Sequence, residues 1–104
     1  MWKMTIDDII AAAVSHLRSL PDGTEISTSE ALAAACGFNF DPEGEYLVGD
    51  VQIDFKGMFE LDQDIRKAAR KAGLALDDSA YADMVLGLPF NIPYIVKKRR
   101  GKHT

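Results

Sequence analysis

The chain has 104 residues, of which 47% are hydrophobic and 27% are charged, and its formal net charge is −4. This length predicts one domain with a single modest core, and the composition excludes a disordered chain. No apolar run reaches the roughly 20 residues of a membrane helix, and acids from Asp7 onward interrupt any signal-peptide core. The sequence therefore predicts a soluble, cytoplasmic protein with no membrane partner.

Groups that could carry catalysis are few. The single cysteine, Cys36, excludes an internal disulfide, and with His16 and His103 it provides too few ligands for a classical zinc site. The sequence contains no phosphate-binding loop, dinucleotide-binding glycine pattern, zinc-protease motif or serine-nucleophile motif. We therefore expect no enzymatic activity, no catalytic residues, no metal and no cofactor.

Charge is distributed unevenly along the chain. Residues 1–64 hold thirteen acids and three cations, whereas residues 65–104 hold nine cations and three acids. Such polarity favours contact with nucleic acid or with an acidic partner. Mutual attraction of the two halves, or simple solvation of charged helix faces, explains the same pattern.

The first predicted element is an amphipathic helix. Apolar residues recur every three or four positions over residues 6–20, which indicates one buried stripe. Thr5 is expected to cap this helix, with Asp8 completing a capping box. The turn residues "PDG" end the helix.

A short strand and a second helix are predicted next. "TEIS" at 24–27 alternates and indicates the strand. Ser27 and Glu30 form the S-x-x-E pattern of a capping box, and Gly37 is expected to end the helix. Cys36 would then be a small buried residue of this helix.

Residues 38–58 are harder to interpret. "FDPEGE" indicates an acidic loop, and its spacing does not match an EF-hand calcium loop. The alternation of Val51, Ile53 and Phe55 indicates a strand, with a kink at Gly49.

The third predicted helix covers residues 58–73 and ends in four cations. These cations are Arg66, Lys67, Arg70 and Lys71. Acids dominate the start of the helix and cations its end, which suits the helix dipole. The spacing predicts ion pairs from Asp62 to Arg66 and from Asp64 to Lys67. The last two cations have no acid at the corresponding upstream positions.

Residues 74–98 are expected to form β-structure. "LALD" alternates, and "MVLGLPFNIPYIV" indicates two extended runs in which Pro89 and Pro93 argue against a helix. The second run is apolar on one face, which predicts a core strand or, alternatively, a peptide groove lined by Phe90 and Tyr94. A basic segment, "KKRRGKHT", follows.

The order of helix, short strand, short helix, cationic helix and β-hairpin resembles the winged helix-turn-helix superfamily. The ending "GLPFNIPYIVKK" is loosely similar to endings of small bacterial proteins. The resemblance implies an α+β, winged-helix-like fold of three helices with a small antiparallel sheet or hairpin after the third. It implies one domain over residues 1–98, followed by a basic, mobile tail at 99–104. About twenty residues join the second and third helices, where a helix-turn-helix uses a few.

This resemblance implies binding to double-stranded DNA, as in a transcription regulator. The helix at 58–73 would enter the major groove, and the wing at 74–98 would contact phosphate or the minor groove. The candidate contacts are Arg66, Lys67, Arg70, Lys71, Lys97, Lys98, Arg99 and Arg100. The alternative is a non-enzymatic protein-interaction module whose basic half binds an acidic partner or the acidic half of another copy.

Overall fold

A computed structural model of the protein describes residues 4–40, 43–81 and 88–98. Within these ranges the chain forms three α-helices, six short strands and two 3-10 turns, which confirms the predicted α+β class. The helices are α1 (Ile6–Ser19), α2 (Thr28–Ala35) and α3 (Phe55–Lys71). The strands are β1 (Thr24–Ile26), β2 (Phe38–Phe40), β3 (Tyr46–Val48), β4 (Val51–Ile53), β5 (Leu74–Asp77) and β6 (Tyr94–Lys98).

The first two helices begin where the sequence predicts. The Thr5 hydroxyl accepts from the backbone N–H of Asp8, and the Asp8 carboxylate accepts from the Thr5 N–H in return. Ser27 and Glu30 form the same reciprocal pair at the start of α2. Both capping boxes are thereby confirmed, and each satisfies donors that the first helical turn leaves unpaired.

Helix α3 begins at Phe55 rather than at residue 58. The carboxylate of Asp54 accepts a hydrogen bond of 2.7 Å from the backbone N–H of Gly57, so Asp54 caps the helix and stops the preceding strand. Gly57 fits closely there, since a Cβ on it would lie 2.8 Å from Cγ2 of Ile53. The predicted continuation of the strand through Phe55 is therefore wrong.

One antiparallel sheet has the strand order β1-β6-β5. Strand β6 lies in its centre, and Thr24 pairs with Val96 on one side while Leu74 pairs with Lys98 on the other. The pairing of β5 with β6 agrees with the predicted antiparallel β-structure after the third helix. Because α3 leads directly into β5, the C-terminal end of α3 lies beside the last residues of β6.

A second antiparallel sheet, β2-β3-β4, fills the long link between α2 and α3. The sequence predicted one strand with a kink at Gly49, but Gly49 lies in a turn between two paired strands. Its φ of 63° is a left-handed conformation that glycine adopts without strain. The register sets Phe40 beside Tyr46 and Tyr46 beside Ile53, so these three residues share one end of the sheet.

The predicted connection between the two extended runs, residues 87–91, contains a 3-10 turn, and the second run is confirmed where it forms β6. Pro89–Asn91 forms a 3-10 turn, closed by a hydrogen bond of 2.8 Å from the Asn91 N–H to the Leu88 carbonyl. Proline suits the first position of such a turn because its missing N–H has no partner there. Phe90 and Tyr94 are 1% and 0% exposed, so they do not line an open groove. The first predicted run begins at Met84, and residues 82–87 lie outside the described ranges.

The core lies between the three helices and the inner faces of the two sheets. Its largest fully buried apolar side chains are Ile9, Leu17, Leu32, Val48, Met58, Ile65, Phe90 and Val96. Cys36 is only half-buried at the edge of this core, and burial raises the pKa of its thiol. None of the described helices combines the length and apolar character needed to cross a bilayer.

Candidate functional site

Arg66 is held by partners within the protein. Its Nε donates to both carboxylate oxygens of Asp62, at 3.2 and 3.0 Å, which confirms the predicted pair. Its Nη1 donates to Asp78 at 3.2 Å, and its Nη2 donates to the carbonyl oxygen of Pro89 at 3.2 Å. Its guanidinium carbon also lies 4.8 Å from the ring centroid of Tyr94. Arg66 thus joins α3 to both ends of the β5–β6 connection.

The groups around Arg66 are largely buried. Asp62 is 2% exposed, so its charge depends on the guanidinium for compensation. The Tyr94 hydroxyl forms a hydrogen bond of 2.8 Å with the hydroxyl of Thr28, which is also buried. Burial raises the pKa of Tyr94 to about 12. This arrangement serves the fold, and it leaves little of Arg66 for a ligand.

The other three cations in the C-terminal half of α3 point into solvent. Lys67, Arg70 and Lys71 are all exposed. Within the part of the chain that the structure describes, none of them forms an ion pair, so the expected pair of Lys67 with Asp64 is not made. Their spacing of three and four residues sets them on one face of the helix.

Strand alternation separates the two lysines of β6. Lys97 lies on the outer face of its sheet, where its Nζ donates to Asp77 at 3.1 Å. Hydrogen bonds from the Ser79 hydroxyl and N–H, followed by that from Lys97, lower the pKa of Asp77 to about 2. Lys98 has the parity of the buried Val96, so its side chain leaves the strand on the helix side of the sheet.

Lys98 meets the end of α1 there. Lys98 and Arg18 line one cleft of about 230 Å³ that also borders Gly73, just after α3. Arg70 lines a neighbouring cleft of about 240 Å³ along β5, with Leu74 common to both clefts. Sequence reasoning missed Arg18, although its place in the last turn of α1 was a usable signal.

We call this surface the cationic end. Its members are Arg18, Lys67, Arg70, Lys71 and Lys98. One acid, Asp22, lies at the same end, where its carboxylate accepts a hydrogen bond of 2.6 Å from the backbone N–H of Lys98. Lys98 thus lies beside the residues that follow α3, whereas Lys97 lies on the opposite face of the sheet. Arg99 and Arg100 lie outside the described residues.

A different surface forms at the opposite end of α3, and we call it the aromatic face. It consists of Phe38, Phe40, Tyr46, Phe55, Phe59 and Phe90, which include every phenylalanine of the chain. Neighbouring ring centroids lie 4.9 to 6.4 Å apart. Sequence reasoning did not find this cluster, because its members come from four separate segments.

The described residues contain no metal-binding arrangement. In those ranges no three His, Cys, Asp or Glu side chains are grouped in a way that could hold a metal ion. Comparison with known proteins finds no matching family model, no matching curated protein and no matching solved structure. The two surfaces at the ends of α3 are therefore the basis for assigning a function.

Proposed function

We propose that the protein is a winged helix-turn-helix domain that binds double-stranded DNA, as a transcription regulator does. Strand order supports this assignment, because the last strand, β6, lies between β1 and the strand that follows α3. The order of α1, β1, α2, α3 and the β5–β6 hairpin also agrees with that architecture. The sheet between α2 and α3 would then be an insertion into the helix-turn-helix.

The observation that carries the proposal is the cationic end. Lys67, Arg70 and Lys71 are exposed without an ion-pair partner in the described ranges, and Lys98 and Arg18 lie beside the C-terminal end of the same helix. Exposed cations on one surface bind a polyanion with release of its counterions, and the phosphates of a duplex present acceptor oxygens at regular spacing.

The charge distribution indicates phosphate contacts rather than deep reading of bases. The N-terminal half of α3 carries the exposed Glu60, the exposed Asp64 follows just past the midpoint of the helix, and the β2–β3 loop adds Glu43 and Glu45. These acids oppose entry of that half into a groove. We therefore propose that the C-terminal half of α3 contacts the backbone, with weak sequence preference and strong salt dependence.

The test measures fluorescence anisotropy of a labelled mixed-sequence duplex as salt rises from about 50 to about 200 mM. The logarithm of the association constant falls linearly with the logarithm of the salt concentration. The double variant Arg70→Ala/Lys71→Ala should make this negative slope shallower by about 2. Lys56→Ala is the matched control, since Lys56 is an exposed cation at the other end of α3 and should leave the slope unchanged.

Two outcomes would reject the proposal. Absence of binding at low salt would do so, because the electrostatic contribution is largest there. Equally tight binding of poly-glutamate and of the duplex would instead assign the same cations to an acidic protein partner, the alternative that the charge asymmetry also favours.

A further inference from the structure

We infer that the aromatic face is a docking surface for an extended segment of a different protein, one that carries lysine or arginine next to aliphatic residues. This surface shares no residue with the cationic end. It lies at the N-terminal end of α3, a helix of 17 residues and therefore about 25 Å long. The inference concerns a second partner and does not depend on DNA binding.

The first observation is an exposed pair of aromatic rings. Phe40 is 65% exposed and Phe55 is 49% exposed, and both belong to the same cluster of rings. A third large apolar side chain with comparable exposure among the described residues is Ile6, which stands alone on α1. The two exposed rings are connected through Tyr46 and Phe90, and apolar side chains exposed together mark interaction surfaces.

The second observation is that the exposed rings are supported from beneath. Tyr46 lies 5.2 Å from Phe40 and 5.5 Å from Phe90, measured between ring centroids. Phe55 packs 4.9 Å from Phe59, and Phe59 packs 5.9 Å from the buried Phe90. A ring whose orientation is fixed by neighbours loses little freedom on binding, so the surface is preorganised for a ligand.

The third observation concerns charge and identifies the partner's chemistry. Residues 38–60 hold six acids and one lysine; of the acids, Asp41 lies outside the described residues and Asp50 lies in the turn at the opposite end of the sheet. The register sets Phe40 and Tyr46 at one end of the β2-β3-β4 sheet, where the loop with Glu45 and the helix cap Asp54 also lie. An aromatic surface among carboxylates favours cations, which can lie over ring faces while pairing with the acids. Phosphate groups would be repelled from it.

A second copy of the chain is a poorer occupant. Its cations at the cationic end would match the acids, but no large apolar side chain is exposed beside them in the described ranges. Phe40 and Phe55 would then remain in contact with water. A partner segment with aliphatic side chains between its cations covers both the rings and the acids.

The test uses short fluorescein-labelled peptides as probes. In the first peptide Arg-Arg and Leu-Leu pairs alternate; the second replaces arginine by glutamate, and the third replaces leucine by glycine. We expect the first to bind most tightly, and the double variant Phe40→Ser/Phe55→Ser to weaken it by at least about tenfold. Ile6→Ser is the matched control, because it removes an equally exposed apolar side chain outside the cluster and should have no effect.

Circular dichroism melting establishes that each variant is folded, and sedimentation establishes its oligomeric state. Equal binding of the arginine and glutamate peptides would overturn the proposed chemistry, and no binding of the first peptide would overturn the docking site. A wild-type dimer that Phe40→Ser/Phe55→Ser dissociates would assign the surface to a second copy instead. Duplex binding by the same variant should be unchanged, which separates this inference from the proposed function.

Discussion

Arg66 and Arg70 lie one turn apart on the same helix, and the structure uses them differently. Arg66 is held by two carboxylates, a carbonyl oxygen and an aromatic ring, whereas Arg70 is exposed and has no ion-pair partner among the described residues. Each begins an Arg-Lys-Ala triplet within "IRKAARKAGL", so their local sequences are nearly the same. The comparison shows that residues of the same type, close together in sequence, can have different roles. The role of each depends on which distant residues the fold packs against it.

The largest expected effect on stability is that of replacing Arg66, the arginine held by partners within the protein. Arg66→Ala should lower the free energy of unfolding by about 3 kcal/mol, because it leaves the buried carboxylate of Asp62 without its counter-charge. Arg70→Ala should change the same quantity by less than about 0.5 kcal/mol, as expected at an exposed position. Urea unfolding monitored by circular dichroism measures both values.

A double replacement sharpens the interpretation of that result. Asp62→Leu combined with Arg66→Met removes both charges, so it should recover most of the stability that Arg66→Ala loses. Equal losses in Arg66→Ala and Arg70→Ala would show that Arg66 has no special structural role, and the comparison would fail.

Tyr94, against which Arg66 packs, gives an intermediate effect that depends on pH. Its pKa is raised from 10.0 to about 12, so the unfolded chain ionises this group first as pH rises. The stabilisation is complete below about pH 10 and is lost as pH rises toward 12. Tyr94→Phe should remove this alkaline loss, at the expense of about 1 kcal/mol near neutral pH for the unpaired hydroxyl of Thr28. Urea unfolding at several alkaline pH values compares the two proteins, and parallel curves would contradict this assignment.

The smallest effect is expected on the outer face of the sheet. Lys97→Ala removes an ion pair whose side chains are 54% and 36% exposed, so thermal melting should be almost unchanged. The pKa of Asp77 should rise from about 2 yet stay below its usual range, because hydrogen bonds from Ser79 lower it most. The contribution of Asp77 to stability is present above about pH 4 and is lost as pH falls toward 2. NMR titration of the Asp77 carboxyl measures the shift, and a return to the ordinary pKa would show that Lys97 dominates.

Local signals predicted the parts of the fold that depend on neighbouring residues. The caps at Thr5 and Ser27 follow a pattern four residues long, and the pair of Asp62 with Arg66 is one helical turn apart. The cap at Asp54 was missed because the alternation of the preceding strand appeared to continue past it.

Contacts between segments that are distant in sequence could not be predicted from local patterns. The partners of Arg66 at Asp78 and Pro89 lie 12 and 23 residues away, and no periodicity connects them. The aromatic face has the same origin, since its rings come from β2, β3, α3 and a 3-10 turn. Strand parity separates Lys97 from Lys98, although the two residues belong to one basic run in the sequence.

The central position of β6 has a consequence for how the chain acquires its fold. The hydrogen bond between Thr28 and Tyr94 spans 66 residues, and the sheet holds β1 and β5 together only through β6. Pairings of such long range form late, because the entropy of closing a large loop opposes them. The sheet that joins β1 to β5 therefore cannot form before β6 is available to pair with both. The chain's final collapse waits for the last strand to arrive.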